Sequence, residues 1–80
     1  MKFNYNKLKG RIIEKIGSFS EFANMLGMSY QSLNMKLTNN RHFSQDQILK
    51  SADLLDIELQ DIGIYFFNLN VEKITTSQNI

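Results

Sequence analysis

Residues 18–41 read SFSEFANMLGMSYQSLNMKLTNNR, and the parsing of this stretch decides the fold. Phe22, Ala23 and Leu26 recur at helical spacing, Gly27 interrupts, and Tyr30, Leu33 and Leu37 resume the spacing. The pattern predicts two short helices sharing one apolar corner. If they cross steeply after three or four residues, the chain reverses within one turn, and Gly27 takes a positive φ there without a Cβ clash. Met28 then turns inward over the corner. Ser29 opens the second helix by accepting from the free N–H of Gln31 or Ser32. Ala23, four residues before Gly27, is small where the helix backbones approach, and Leu33, six residues after it, plugs the corner. This Ala, Gly, Leu spacing is the mechanical requirement of a helix–turn–helix. An ordinary αα-hairpin has the same glycine-joined pair, so other features of the chain have to separate the two readings.

Eighty residues with neither proline nor cysteine predict one domain over residues 1–80 with a single modest core. That is room for five short helices but not for two layers around a deep cleft. Without cysteine there is no disulfide framework, thiolate metal site or thiol nucleophile, which fits a reducing cytosol. No run of eighteen apolar residues and no hydrophobic amino-terminal segment occurs, so the expectation is a soluble cytoplasmic protein without a membrane partner. The net charge of +1 is unevenly distributed. Residues 1–42 carry seven Lys and Arg against two Glu, a balance of +5, and residues 43–80 carry two Lys against six Asp and Glu, a balance of −4. The basic half contains the glycine-hinged pair, and a polarised domain can orient in a phosphate field despite a small net charge. Both sets also fit a plainer account as solvated helix faces.

Residues 1–5 form a short arm, with Asn6 as the cap of a first helix. Leu8, Ile12 and Ile16 make its buried stripe, Ile13 widens it, and Gly17 ends it. Gly10 inside this helix either permits a close helix contact or is simply tolerated. Phe3 and Tyr5 clasp the core edge rather than stack on bases. Ser20 or Ser18 opens the second helix, and Asn39 or Asn40 stops the third, since asparagine tolerates the left-handed conformation. Ser44 and Gln47 have capping-box spacing and begin a fourth helix with Ile48, Ala52 and Leu55 inward and Leu49 or Leu54 at the margin. After a link at Asp56 and Ile57, a fifth helix holds Leu59, Ile62 and Phe66 on one face, with Gly63 ending or bending it.

The third helix carries the candidate recognition chemistry. With Tyr30, Leu33 and Leu37 inward, its outer face is Gln31, Ser32, Asn34, Met35 and Lys36. Gln and Asn donate and accept at once, as an adenine edge requires, and Met35 suits a thymine methyl group. Gln31 near the helix start and Asn34 or Met35 one turn later are therefore the base-reading candidates, with Ser32 an adjustable third and Tyr30 divided between a packed ring and an outward hydroxyl. Phosphate contacts are expected from Ser18, Ser20 and Ser29, from Lys36, and from the loop residues Asn39, Asn40, Arg41 and His42. His42 is the only histidine and has no second ligand at metal spacing, so neither a metal nor a cofactor is expected. Solvent is the plain alternative for such a polar face.

The order of five helices, the central FANMLGMSYQSLNMKLTNN and the later SQDQILKSADLLDIELQDIGIYFF together resemble the lambda-repressor-like helix–turn–helix domains. They look most like the small Cro-type regulators of phages of low-GC Gram-positive bacteria. The resemblance covers residues 6–67, and the flanks KLKGRII and IYFF are its narrower parts. It implies a compact all-α five-helix fold and a homodimer that reads an inverted-repeat operator in double-stranded DNA as a transcriptional repressor, nucleoid-associated in the bacterial host. Two departures are Lys36, where many relatives have an apolar residue, and Asn39-Asn40 in place of Asn-Gly. The first leaves the rotation of the third helix open by a fraction of a turn.

No paired carboxylates, nucleophile with a base, or glycine-rich phosphate loop suggest an enzyme, and no small-molecule ligand is expected. The rival reading is a protein-interaction module, such as an antirepressor or antitoxin-like partner, built on the same helices. Tyr65, Phe66 and Phe67 and the segment 69–74 feed it. Phe66 and Phe67 lie about 100° apart on a helix, so one closes the core while the other meets the tail or a second subunit. Residues 68–80 are an extended tail: Val71, Ile74, Thr75 and Thr76 favour a strand pairing across a two-fold axis, or else Leu69 and Val71 pack back on the domain.

Overall fold

Hydroxyl caps and left-handed stops set most of the helix boundaries. The computed structural model describes residues 2–69 and contains α1 (Asn6–Lys15), α2 (Phe19–Leu26), α3 (Tyr30–Leu37), α4 (Gln45–Leu54), a 3-10 turn (Leu59–Asp61) and α5 (Ile62–Phe66). Ser18, Ser29 and Ser44 open α2, α3 and α4, each Oγ accepting from the backbone N–H three residues on. At Ser44 the bond is reciprocal, because Gln47 Oε1 accepts from the Ser44 N–H at 2.9 Å and completes a capping box. Of the two serines before α2, Ser18 is the cap. Gly17 and Gly27 turn left-handed after α1 and α2, at φ 101° and 77°. Asn39 does the same after α3 at φ 69°, and Asp56 after α4 at φ 54°.

The helices bury one contiguous core. Leu8 and Ile12 from α1, Phe22, Ala23 and Leu26 from α2, Leu33 and Leu37 from α3, Ala52 and Leu55 from α4, and Phe66 from α5 meet with Tyr5 and Ile57. Met28 packs against this core from the turn. Four aromatic contacts lead from the arm into it. Phe3 lies 6.1 Å from Tyr5, Tyr5 meets Phe43 edge-on at 5.7 Å, Phe43 meets Phe66 edge-on at 5.3 Å, and Phe3 meets the edge of Phe67 at 5.8 Å. The arm is therefore part of the core edge. Its backbone bridges Leu69 in antiparallel fashion, with the Asn4 N–H donating to the Asn68 carbonyl at 2.6 Å.

Several details differ from the sequence-based expectation. Asn6 is the first residue of α1 rather than its cap, and its N–H is held by Asn4 Oδ1 at 2.8 Å. Ile13 does not widen the buried stripe: it is 48% exposed. Leu59 is 72% exposed, since it opens a 3-10 turn, where residues three apart eclipse and the 3.6-residue face is lost. Gly63 lies inside α5 and does not end it. At Gly10 a Cβ would meet nothing within 4 Å, so no close helix contact depends on that glycine. Phe66 closes the core, and Phe67 stays half in solvent against Phe3. The expected strand or packing at residues 71–76 lies outside the described residues.

Candidate nucleic-acid interface

The surface around α3 is set by its two buried leucines. Leu33 is inaccessible and Leu37 nearly so, which turns Gln31 and Asn34 outward into solvent and leaves Ser32, Met35 and Lys36 half-buried at its edges. Tyr30 is 52% exposed. Its ring therefore stands at the margin of the corner instead of filling it, unlike the inward position that the spacing predicts. Ala23 is buried under the corner.

The hydroxyls at the helix starts have one function assigned already. Ser18 Oγ accepts from the Glu21 N–H and Ser29 Oγ from the Ser32 N–H, both at 3.0 Å. Each hydroxyl still has its own proton to donate, so capping a helix and donating to an anion are compatible. Ser20 is exposed in the first turn of α2.

The end of α3 is a dense hydrogen-bonded turn. Thr38 Oγ1 donates back to the Asn34 carbonyl at 2.8 Å, and Asn40 Nδ2 donates to Thr38 Oγ1 at 2.9 Å. The Met35 carbonyl receives both the Asn40 and the Arg41 N–H. Lys36 Nζ donates to the His42 carbonyl at 3.1 Å, which folds the loop back along the helix and leaves the ammonium two further donors. The exposed Arg41 side chain has no partner among the described residues. His42 is exposed beside a small aromatic-lined cavity that includes Phe3 and Phe43. Among the described residues no cluster of metal-ligating side chains occurs.

Asn39 behaves differently from the expectation. Its Oδ1 accepts from the Phe3 N–H at 2.8 Å and its Nδ2 donates to the Phe3 carbonyl at 3.0 Å. One side-chain amide thus satisfies both backbone groups of an arm residue, as a paired strand would. The amide faces inward to the arm, so Asn39 is an anchor for the loop and leaves the set of phosphate candidates. The residue type signalled a left-handed stop, but nothing local to positions 3 and 39 signalled their pairing.

The basic half of the sequence is not one basic patch. Arg11 Nε donates to the Leu55 carbonyl at 2.8 Å and its Nη2 to the Asp56 carbonyl at 3.0 Å, capping the end of α4 where the helix dipole is negative. Lys15 Nζ pairs with Asp56 Oδ2 at 3.0 Å, and Lys7 Nζ stands 5.5 Å over the Tyr65 ring. The hydrogen bond and charge of Lys15 hold the Asp56 carboxyl below the usual aspartate range. Desolvation raises the Tyr5 hydroxyl above its ordinary value. Lys2, Lys9 and Arg41 make no ion pair or side-chain hydrogen bond among the described residues. Among those residues, no helix is long and apolar enough to cross a membrane.

A solved structure with TM-score 0.73 and 38% sequence identity covers 85% of this chain and 92% of its own: the solution structure of the modulator of repression (MOR) of the temperate bacteriophage TP901-1 from Lactococcus lactis. No functionally curated protein matches. A family model described as "Protein of unknown function (DUF739)" matches residues 1–69, so the chain belongs to the DUF739 family.

Proposed function

We propose that this chain is a small phage regulatory protein that acts in repression by binding double-stranded DNA as a homodimer, with α3 in the major groove. The observation that carries the reading is the surface of α3. A helix anchored by Leu33 and Leu37 presents Gln31 and Asn34 outward, is capped by Ser29, carries a tethered Lys36 in its last turn and is followed by Arg41, which has no partner among the described residues. The amide side chains suit base edges, and the cations and hydroxyls at the margins suit phosphate. Similarity to a phage modulator of repression supports the regulatory context. The reading is of a binding protein rather than a catalyst, with Gln31, Asn34 and Met35 reading bases, Ser32 and Tyr30 assisting, and Ser18, Ser20, Ser29, Lys36, Asn40, Arg41 and His42 on the backbone.

Selection of bound duplexes from a random pool at near-physiological salt tests this directly. The expected result is an enriched inverted repeat whose half-sites lie about 34 Å apart, one duplex turn. A pool that emerges unenriched, with the protein monomeric, would overturn the DNA reading and favour the protein-interaction module.

A further inference from the structure

Outside α2 and α3, apolar side chains lie open along α4, the 3-10 turn and α5. Leu49 and Phe67 are each 53% exposed, and Leu59 more so. Leu49 is shared by two open depressions. One, of about 570 Å³, has Ala52, Ile57 and Leu59 in its wall, and the other, of about 260 Å³, has Ile48, Ile62 and Phe67. A single exposed leucine is ordinary on a protein surface, whereas apolar side chains meeting around two adjoining hollows mark an interaction surface.

The rim of the larger depression is acidic. Asp53 and Glu58 line it, and Asp56 joins them in the hollow alongside. Asp56 is neutralised by Lys15, but Asp53 and Glu58 have no cationic partner among the described residues. Gln60 Nε2 donates to Glu58 Oε1 at 2.8 Å and steadies that carboxylate at the edge.

We infer that this groove docks a basic amphipathic helix of another protein. Apolar residues one turn apart on that helix fill the two hollows beside Leu49, and Lys or Arg on its flanks reach Asp53 and Glu58. The charge selects this occupant over others. A second copy related by a two-fold axis would bring Asp53 and Glu58 towards their own mates, so like charges would oppose the apolar gain. Nucleic acid is repelled by the same carboxylates. None of the lining residues belongs to α2 or α3, so the inference is independent of whether α3 enters DNA.

The test is a titration of the isotope-labelled full chain, followed by NMR, with two designed helical peptides of about five turns. Both have leucines at the same positions; one carries lysine on the flanks and the other glutamate. The lysine peptide is expected to shift the amides of Leu49, Asp53, Glu58, Leu59 and Phe67, and the glutamate peptide to leave them unmoved. Asp53→Lys with Glu58→Lys, and separately Leu59→Ser, should weaken binding about tenfold or more, while Asn34→Ala leaves it unchanged. All four positions are exposed, and unchanged amide positions elsewhere verify the fold. Equal binding of both peptides, shifts confined to α2–α3, or no binding of the lysine peptide up to about 1 mM would overturn the inference. So would contacts onto Leu49 and Leu59 in the free protein from a second copy or from residues 70–80 of the same chain.

Discussion

Removing the Asn39 side chain should detach the amino-terminal arm from the end of α3. Two hydrogen bonds join Asn39 to the Phe3 backbone, at 2.8 and 3.0 Å and partly shielded from water. At a net value of about 0.5–1.5 kcal/mol each, together they contribute about 1–3 kcal/mol. Asn39 also occupies φ 69°, a conformation that asparagine tolerates and alanine resists by about 1–2 kcal/mol. Asn39→Gly keeps the backbone geometry and loses only the hydrogen bonds, so it should cost about 1–3 kcal/mol. Asn39→Ala adds the conformational cost and should be the less stable of the two by about 1–2 kcal/mol. Urea unfolding gives both differences from the shift in midpoint at constant slope. Hydrogen exchange reports the mechanism separately, because the Phe3 amide should lose its protection in both variants while the α2 and α3 amides keep theirs relative to the lowered global stability. If Phe3 stays protected in Asn39→Gly, or if the two variants match the parent, the anchor account is wrong.

Further expectations concern the corner, the core, the charges and the recognition face. Gly27→Ala should lower stability by about 1–2 kcal/mol from backbone strain alone, since a Cβ there meets nothing within 4 Å; an unchanged melting temperature would contradict the left-handed turn. Ser51 is inaccessible in α4 and its Oγ has no hydrogen-bond partner among the described residues, so Ser51→Ala should raise the melting temperature, by the equivalent of about 1 kcal/mol. Because the Asp56 carboxyl is held below its ordinary range, its contribution to stability is present above the unfolded aspartate value and is lost as pH falls through the folded one. Acid denaturation of Asp56→Asn should therefore show a shallower limb below about pH 4, an effect kept small by water around the pair. On DNA, Gln31→Ala should cost about 1–3 kcal/mol and relax preference at one base pair, whereas Arg41→Ala should weaken all sequences alike and reduce the salt slope by about one. Equal loss on every sequence from Gln31→Ala would refute its role as a base reader.

The helical body was legible in the sequence because its determinants are local. Gly27, the serines before α2, α3 and α4, and the Ser44–Gln47 pair act within four residues, and the period of Leu8–Ile12, Phe22–Leu26 and Leu33–Leu37 marks the inward faces. The outward direction of Gln31 and Asn34 followed from those leucines. Periodicity does not say whether another element covers a face, so it points Ile13 and Leu59 to an interior that does not reach them. Charge counting failed for a related reason. Arg11 and Lys15 add to the basic half by position in sequence, yet in space Lys15 pairs with Asp56 and Arg11 donates to the Leu55 and Asp56 carbonyls just past α4. The second use of Asn39 was beyond sequence reasoning, since its partner lies 36 residues away and is a backbone rather than a side chain.

The strap formed by the arm also bears on the order of assembly. Helices α2 and α3 meet across a turn of three residues, a contact with little loop-closure entropy to overcome, whereas Phe3 reaches Asn39 over 36 residues and Leu69 over almost the whole described chain. The arm is therefore expected to dock late, after the barrier has been crossed. Weakening it should then accelerate escape from the native state and leave the refolding rate nearly untouched, the behaviour of a latch on lifetime rather than of a nucleus for folding.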